Sequence, residues 1–214
     1  MELAVQALGL SFGKVHALED VTLSVPAGSR LVLSGPAGGG KTSLLKCFAG
    51  LVRPTAGAAT WDGRDVATMS KDERRVAQVA FGMVFQTDAL FDSMTVLENV
   101  LLPLRKRGVG EAEAKERAFE ALDRVGLRDA ALKRPEVLSG GMKKRAGVAR
   151  AIVARPVVLL ADDPFAGLDP VTEGSIASLL LEVSEGKTLI VALPDPVASL
   201  PIERRVRLVG GRLT

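Results

Sequence analysis

The run Gly35-Pro36-Ala37-Gly38-Gly39-Gly40-Lys41-Thr42 has the spacing G-x-x-x-x-G-K-[ST], which is suited to binding phosphate. Glycines let the backbone turn with successive N–H groups aimed at phosphate oxygens. A helix starting near Lys41 adds the positive end of its dipole. In that arrangement Lys41 reaches the outer phosphates and the Thr42 hydroxyl ligates Mg²⁺. The plainer alternative is a flexible glycine-rich turn. The flanks speak for phosphate: Arg30 to Ser34 reads as a short apolar strand, and Ser43 to Ala49 continues as a helix.

Two further features bear on the same chemistry. Asp162 closes the apolar run Val157 to Ala161, and an acid at a strand end there holds the Mg²⁺ water shell beside Thr42. Standing alone it would read as an ordinary turn acid. Leu138-Ser139-Gly140-Gly141-Met142 opens a helix expected from Lys143 to Ala154. A Ser and two Gly at a helix start form another anion site, with a simple N-cap at Ser139 as the alternative. Two phosphate-binding helix starts in one chain suggest a nucleotide held between two subunits.

The elements that position these residues must come from one α/β chain. The 214 residues, 47% hydrophobic and 25% charged, suffice for one large domain or a domain with a subdomain. A net charge of +3 is mild and unclustered, so no nucleic-acid partner is expected. The single cysteine, Cys47, excludes a disulfide framework, favours a reducing compartment and reads as core packing. No signal peptide is evident at Met1 and no apolar run reaches the ~18 residues of a membrane span, so the chain is not expected to cross a membrane alone. A mean hydropathy of +0.24 fits a docking surface for a membrane partner or a large core.

Along the chain, Leu3 to Leu8 and Leu18 to Val25 read as strands. Ala58 to Trp61 and Arg64 to Val66 form a hairpin about a tight Asp62-Gly63 turn. Phe81 to Phe85 is a buried-type strand, followed directly by Gln86. From Thr95 the pattern turns helical, and Thr95 with Glu98 has capping-box spacing. Glu111 to Arg124 is amphipathic, with Glu111/Lys115, Glu113/Arg117 and Glu120/Arg124 expected to pair across one turn. Val157 to Ala161 and Thr188 to Leu193 are continuous apolar runs of central parallel-strand type. Arg204 to Val209, Gly210-Gly211 and Arg212 to Thr214 close as a hairpin. The fold class expected is α/β: a P-loop NTPase core with a parallel sheet, an N-terminal antiparallel β part and an inserted helical subdomain. A single domain of residues 1–214 divides into a core, 1–86 and 139–214, and a helical subdomain, 87–138.

With these motifs in this order, the chain resembles ABC-type ATPases, the nucleotide-binding subunits of ATP-driven transporters, over essentially its whole length. The resemblance implies that Phe12 stacks on adenine and that Gly35 to Thr42, with Ser43, forms the Walker A loop. It implies that Gln86 ligates Mg²⁺ and senses the membrane partner. Ser139, Gly140 and Gly141 then cap the γ-phosphate of the opposite subunit, Asp162 is the Walker B aspartate, and Asp169 belongs to the D-loop. ATP and Mg²⁺ are the implied cofactors. The implied partners are a second ATPase subunit and an integral membrane permease at the cytoplasmic face of the plasma membrane. A narrower likeness rests on Met142-Lys143-Lys144-Arg145, on Thr87 to Val96 after Gln86, and on Asp169-Pro170-Val171-Thr172. This set resembles the ATPases that work with MCE-domain proteins in bacterial phospholipid transport.

Two positions depart from the family pattern. Asp163 stands where the family has the Glu that orients or deprotonates the attacking water. Its shorter side chain withdraws the carboxylate by about 1.5 Å, and a ~1 Å misplacement can cost a hundredfold in rate. Pro194 stands where the family has a His on the γ-phosphate, and proline has neither a side-chain donor nor an N–H. The only histidine, His16, sits by the N-terminal strands and is not expected to substitute. The expectation is therefore ATP binding with slow hydrolysis. Either the subunit is paired with a different, competent ATPase, or it is a homodimer in which Asp163 still works. A nucleotide-gated regulator is the alternative class. Repair-type ABC ATPases and P-loop kinases are disfavoured, the former for want of long insertions between Thr42 and Leu138.

Overall fold

The computed structural model describes residues 1–87, 89–195 and 200–214. Asp88, part of the run after Gln86, lies outside the described residues. Two sheets organise the chain. The first is antiparallel, in the order β2-β1-β4-β5, with β1 Leu3–Phe12, β2 Val15–Val25, β4 Ala56–Trp61 and β5 Arg64–Asp65. The second has the order β10-β9-β3-β8-β7-β6, with β3 Arg30–Gly35, β6 Phe81–Val84, β7 Val158–Asp162, β8 Thr188–Pro194, β9 Arg205–Val209 and β10 Arg212–Leu213. All its pairings are parallel except β10 with β9.

The continuous apolar runs are strands buried on both faces. On one face Val32, Leu159, Ala161, Leu189, Val191 and Leu193 join a cluster with helices α3 Val96–Arg105, α4 Glu111–Arg124, α5 Gly140–Ile152 and α6 Pro170–Val183. On the other, Leu31, Leu33, Val158, Leu160, Ile190 and Ala192 pack with α1 Lys41–Phe48 and the inward side chains of β1 and β2. α1 contacts strands of both sheets, so the antiparallel part is clamped to the parallel sheet through it. Trp61 Nε1 donates to the Phe48 carbonyl at 2.7 Å and fastens β4 to the end of α1.

Local chemistry accounts for the boundaries. Asp62 (φ 48°) and Gly63 (φ 79°) both take the left-handed conformation of a tight hairpin turn. Thr95 and Glu98 close the capping box of α3 reciprocally. α5 begins at Gly140, earlier than the expected Lys143, because the Ser139 side chain accepts from the Met142 N–H and caps the helix at once.

Two helices went unread in the sequence. α2, Lys71–Ala77, has a Ser70/Glu73 capping box and no buried residue; α6 is capped by Asp169 with Pro170 in its first turn. On α4, Glu111 with Lys115 (3.6 Å) and Glu113 with Arg117 pair as expected. Glu120 and Arg124 do not. Glu120 pairs with Arg155, and Arg124 with Glu182, since an exposed one-turn pair is worth only a few tenths of a kcal/mol and yields readily to another partner. No helix among the described residues is long and apolar enough to cross a membrane.

Candidate functional site

Four parallel strands deliver the site. Gly35 ends β3, Asp162 ends β7 and Pro194 ends β8, while Gln86 lies just beyond β6. The carboxyl ends of parallel strands are where such sheets bind ligands. A cavity of about 290 Å³ opens there. It is lined by Ala37 to Ser43 of the loop and α1, by Gln86, Asp162, Asp163 and Pro194, and by Val15, His16 and Ala17 of β2.

The loop's shape requires its glycines at two positions above all. Gly35 has φ 146°, and a Cβ there would lie 2.0 Å from the Leu208 carbonyl oxygen. Gly40, the N-cap of α1, has φ 101° and would meet the Ala17 carbonyl at 2.5 Å. The C-terminal hairpin backs the loop closely: a Cβ on Gly39 would lie 2.8 Å from Leu208 O, and the Gly211 N–H donates to Gly39 O at 3.2 Å.

Lys41 Nζ donates to the carbonyls of Gly35 and Pro36 at 2.7 and 2.8 Å. Burial lowers its pKa, opposed by the nearby charges of Asp163, Asp195 and Asp162. The Thr42 hydroxyl donates to Asp162 Oδ1 at 3.0 Å. Asp162 is buried, and burial raises its pKa against the Thr42 bond and the charges of Lys46 and Lys41. Gln86 Nε2 donates to Asp163 Oδ2 at 3.3 Å. Burial raises the Asp163 pKa too, opposed first by Lys144 and reinforced by Asp162. Asp163 has φ 42°, a left-handed conformation uncommon for a residue with a side chain and frequent at functional sites. Its N–H is held by the Ala192 carbonyl at 2.9 Å.

A hydroxyl, a carboxylate and a side-chain amide around one cavity form an all-oxygen donor set, which suits Mg²⁺ completed by phosphate and water. Among the described residues no group of three or more His, Cys, Asp or Glu forms a metal cluster.

Of the residues singled out in the sequence, Ala37 to Ser43, Gln86, Asp162, Asp163 and Pro194 meet at this cavity. Gly35 and Pro36 stand behind it as acceptors for Lys41. Phe12 does not line it: the ring is exposed at the end of β1. Ser139, Gly140, Gly141 and Asp169 do not line it either. Ser139 and Gly140 are exposed at the start of α5. Asp169 accepts from the Val171 and Thr172 N–H groups and the Thr172 hydroxyl, as the cap of α6. A Cβ on Gly141 would lie 2.7 Å from Thr172 Cγ2, so these two segments are neighbours.

Sequence reasoning placed His16 on the N-terminal strands but missed that this strand end walls the cavity. His16 sits opposite Ser11 in the β1–β2 register, with Nδ1 2.9 Å from Ser11 Oγ. The short Gly13-Lys14 turn after Phe12 was the signal. A larger groove of about 710 Å³, lined by Val76, Val79, Pro103 and the cations Arg75, Lys106 and Arg107, lies between α2 and α3. It contains none of the motif residues.

Residues 18–166 match the family model described as ABC transporter. The chain is 42% identical over 187 residues to the probable ribonucleotide transport ATP-binding protein mkl of Mycobacterium leprae (strain TN), covering 86% of this chain and 54% of that protein. It is 41% identical over 205 residues to the methionine import ATP-binding protein MetN of Rhizobium johnstonii, covering 94% and 57%. The chain thus spans little more than half the length of these relatives. The dimeric structure of MJ0796, a bacterial ABC transporter cassette, superposes with a TM-score of 0.90 at 31% identity, covering 99% of this chain and 96% of that one. A post-hydrolysis state of the same cassette, bound to ADP and Pi, superposes at 0.87 with 30% identity, covering 99% and 96%.

Proposed function

This chain belongs to the ABC transporter family, and from that premise we propose that it binds MgATP and couples binding and slow hydrolysis to transport through a separate membrane permease. The observation that carries the reading is the junction of Thr42 with Asp162 at 3.0 Å, beside Lys41 and in the same cavity as the Gln86–Asp163 pair. Loop N–H groups and the α1 N-terminus receive phosphate oxygens. Lys41 exchanges its carbonyl partners for phosphate. Thr42, Asp162 and Gln86 would hold Mg²⁺, which when bound neutralises charge on the transferred phosphoryl group. Asp163, steadied by Gln86, orients the attacking water from a shorter reach than Glu. Pro194 supplies no donor at the γ-phosphate. Ser139, Gly140, Gly141 and Asp169, set away from this cavity, act on the nucleotide of a second subunit in a head-to-tail dimer.

The decisive test is single-turnover hydrolysis by the purified chain with Asp163→Glu as comparison. We expect measurable ATP binding, a slow wild-type rate, and a rate at least tenfold higher with Glu. A wild-type rate equal to that of the Glu variant sinks the weakened-site reading. Asp163 and Pro194 together also favour a second arrangement, in which the chain completes the site of a different, competent ATPase.

For cargo we propose phospholipid, delivered with a permease and an MCE-domain protein at the cytoplasmic face of the plasma membrane, with residues 87–138 as the helical subdomain facing the permease. The support is the run Met142 to Arg145 and the segments after Gln86 and Asp169. The relatives above are named instead for ribonucleotide transport and methionine import. Co-purification of the chain with its membrane subunit, followed by analysis of bound lipid, methionine and nucleotides, distinguishes the three.

A further inference from the structure

Lys144 is only 5% exposed. A lysine near a helix start ordinarily extends its stem and keeps its ammonium in water. Here Nζ turns inward and donates to the main-chain carbonyl of Gln86. Removing an ammonium from water is costly unless it is hydrogen-bonded and close to opposite charge, so the placement is specific. The opposite charge includes Asp163, whose proton affinity Lys144 lowers more than any other neighbour does. Helix α5 and the Gln86 backbone therefore meet at one buried cation, and the Gln86 side chain reaches on from there to the Asp163 carboxylate.

We propose that Lys144 is a positioning residue that fixes Gln86 against Asp163 and ties both to the helix presenting Ser139, Gly140 and Gly141. Gly140 and Lys144 are one turn apart, about 6 Å along a rigid helix. A displacement of the α5 N-terminus is passed along that turn to the Gln86 carbonyl, and from there to the side chain facing the cavity. The inference rests on the MgATP reading for its functional meaning. It adds to it a mechanical link between the two anion sites of one chain.

The test uses the full chain with Lys144→Met, which keeps the unbranched apolar stem but loses charge and donor, Lys144→Arg, which keeps charge and donor, and the neighbouring Lys143→Met. Two readouts are taken: the side-chain amide ¹⁵N–¹H resonances of Gln86, assigned by their loss in Gln86→Ala, and ATP affinity with Mg²⁺ and with EDTA. In Lys144→Met the Gln86 amide signals are expected to move to the position of an unrestrained glutamine. ATP affinity in EDTA stays within twofold, and the gain conferred by Mg²⁺ falls at least fivefold. Lys144→Arg and Lys143→Met stay near wild type. Gln86 signals at their wild-type position in folded Lys144→Met overturn the proposal. Should Lys144→Met not fold, Lys144→Leu, which likewise carries neither charge nor donor, takes its place with the same expected and overturning results. A wild-type chain that binds no ATP in either medium refutes the MgATP reading instead, and the Gln86 resonances still decide the role of Lys144.

Discussion

Lys41 holds its ammonium against two carbonyls of its own loop, so it is aimed before any phosphate arrives. Lys41→Met should weaken ATP at least tenfold in a fluorescent-nucleotide titration while leaving the melting temperature nearly unchanged; affinity within twofold of wild type would contradict the assignment. Cys47 behaves oppositely, as a group the fold keeps inert. Burial pushes its thiol up to about 11, and the thiolate is the reactive form. The native chain should resist alkylation near pH 8, and the guanidinium-unfolded chain should take up one label. Because the folded pKa is raised, the stability tied to the protonated thiol is complete below the ordinary thiol value and is lost as pH rises towards 11. Cys47→Ala should flatten that alkaline decline in thermal melts. At this scale the sequence was readable for the meeting of Lys41, Thr42 and Asp162 at one cavity, which loop spacing and a strand end encode. It was not readable for Lys144, which looks like any solvated helix lysine until its neighbours are known. Nor did it reveal that His16 walls the cavity, which depends on the register across a hairpin.

At the scale of elements, the entry to α3 is a densely hydrogen-bonded joint. Asn99 is fully buried. It accepts from the Phe91 N–H at 2.8 Å and donates to the carbonyls of Phe91, Met94 and Thr95. Thr95→Ala removes one cap and should cost about 1 kcal/mol. Asn99→Ala takes the side-chain partner from the part-buried Phe91 N–H and Met94 carbonyl and should cost about 2–3 kcal/mol. Urea unfolding of both variants checks the order, and equal losses would argue against the Asn99 network. The capping box at Thr95 was legible because it is local. The central strands were legible because burial on both faces leaves uninterrupted apolar runs. α2 was not, since a helix that buries nothing leaves no apolar period to read. α6 carried its signal in Asp169-Pro170 and in Ile176, Leu179, Leu180 and Val183, but the opening residues were read through a motif alone.

At the scale of the whole molecule, Ser139 and Gly140 are exposed and do not line the cavity, which on the proposed reading leaves them to serve the nucleotide of a second subunit. Asp163→Asn with MgATP should therefore run as a dimer in light scattering. Adding Gly140→Asp should return it to monomer while ATP affinity changes less than twofold; a dimer that survives Gly140→Asp would remove α5 from the interface. The fold class was legible from the order of strands and loops, whereas the joining of the antiparallel part to the parallel sheet through α1 was not, because it depends on contacts distant in sequence. The hairpin of β9 and β10 adds a consequence about time. Its Leu208 carbonyl lies directly behind Gly35 and Gly39, and Gly211 bonds the loop from the rear, yet these residues are translated long after Thr42. A nascent chain therefore displays the nucleotide loop without its backing until residues 208 to 211 have emerged, and capture of ATP waits for that point. Ribosome-stalled chains of increasing length should acquire ATP-dependent protease resistance only once residue 211 has left the exit tunnel.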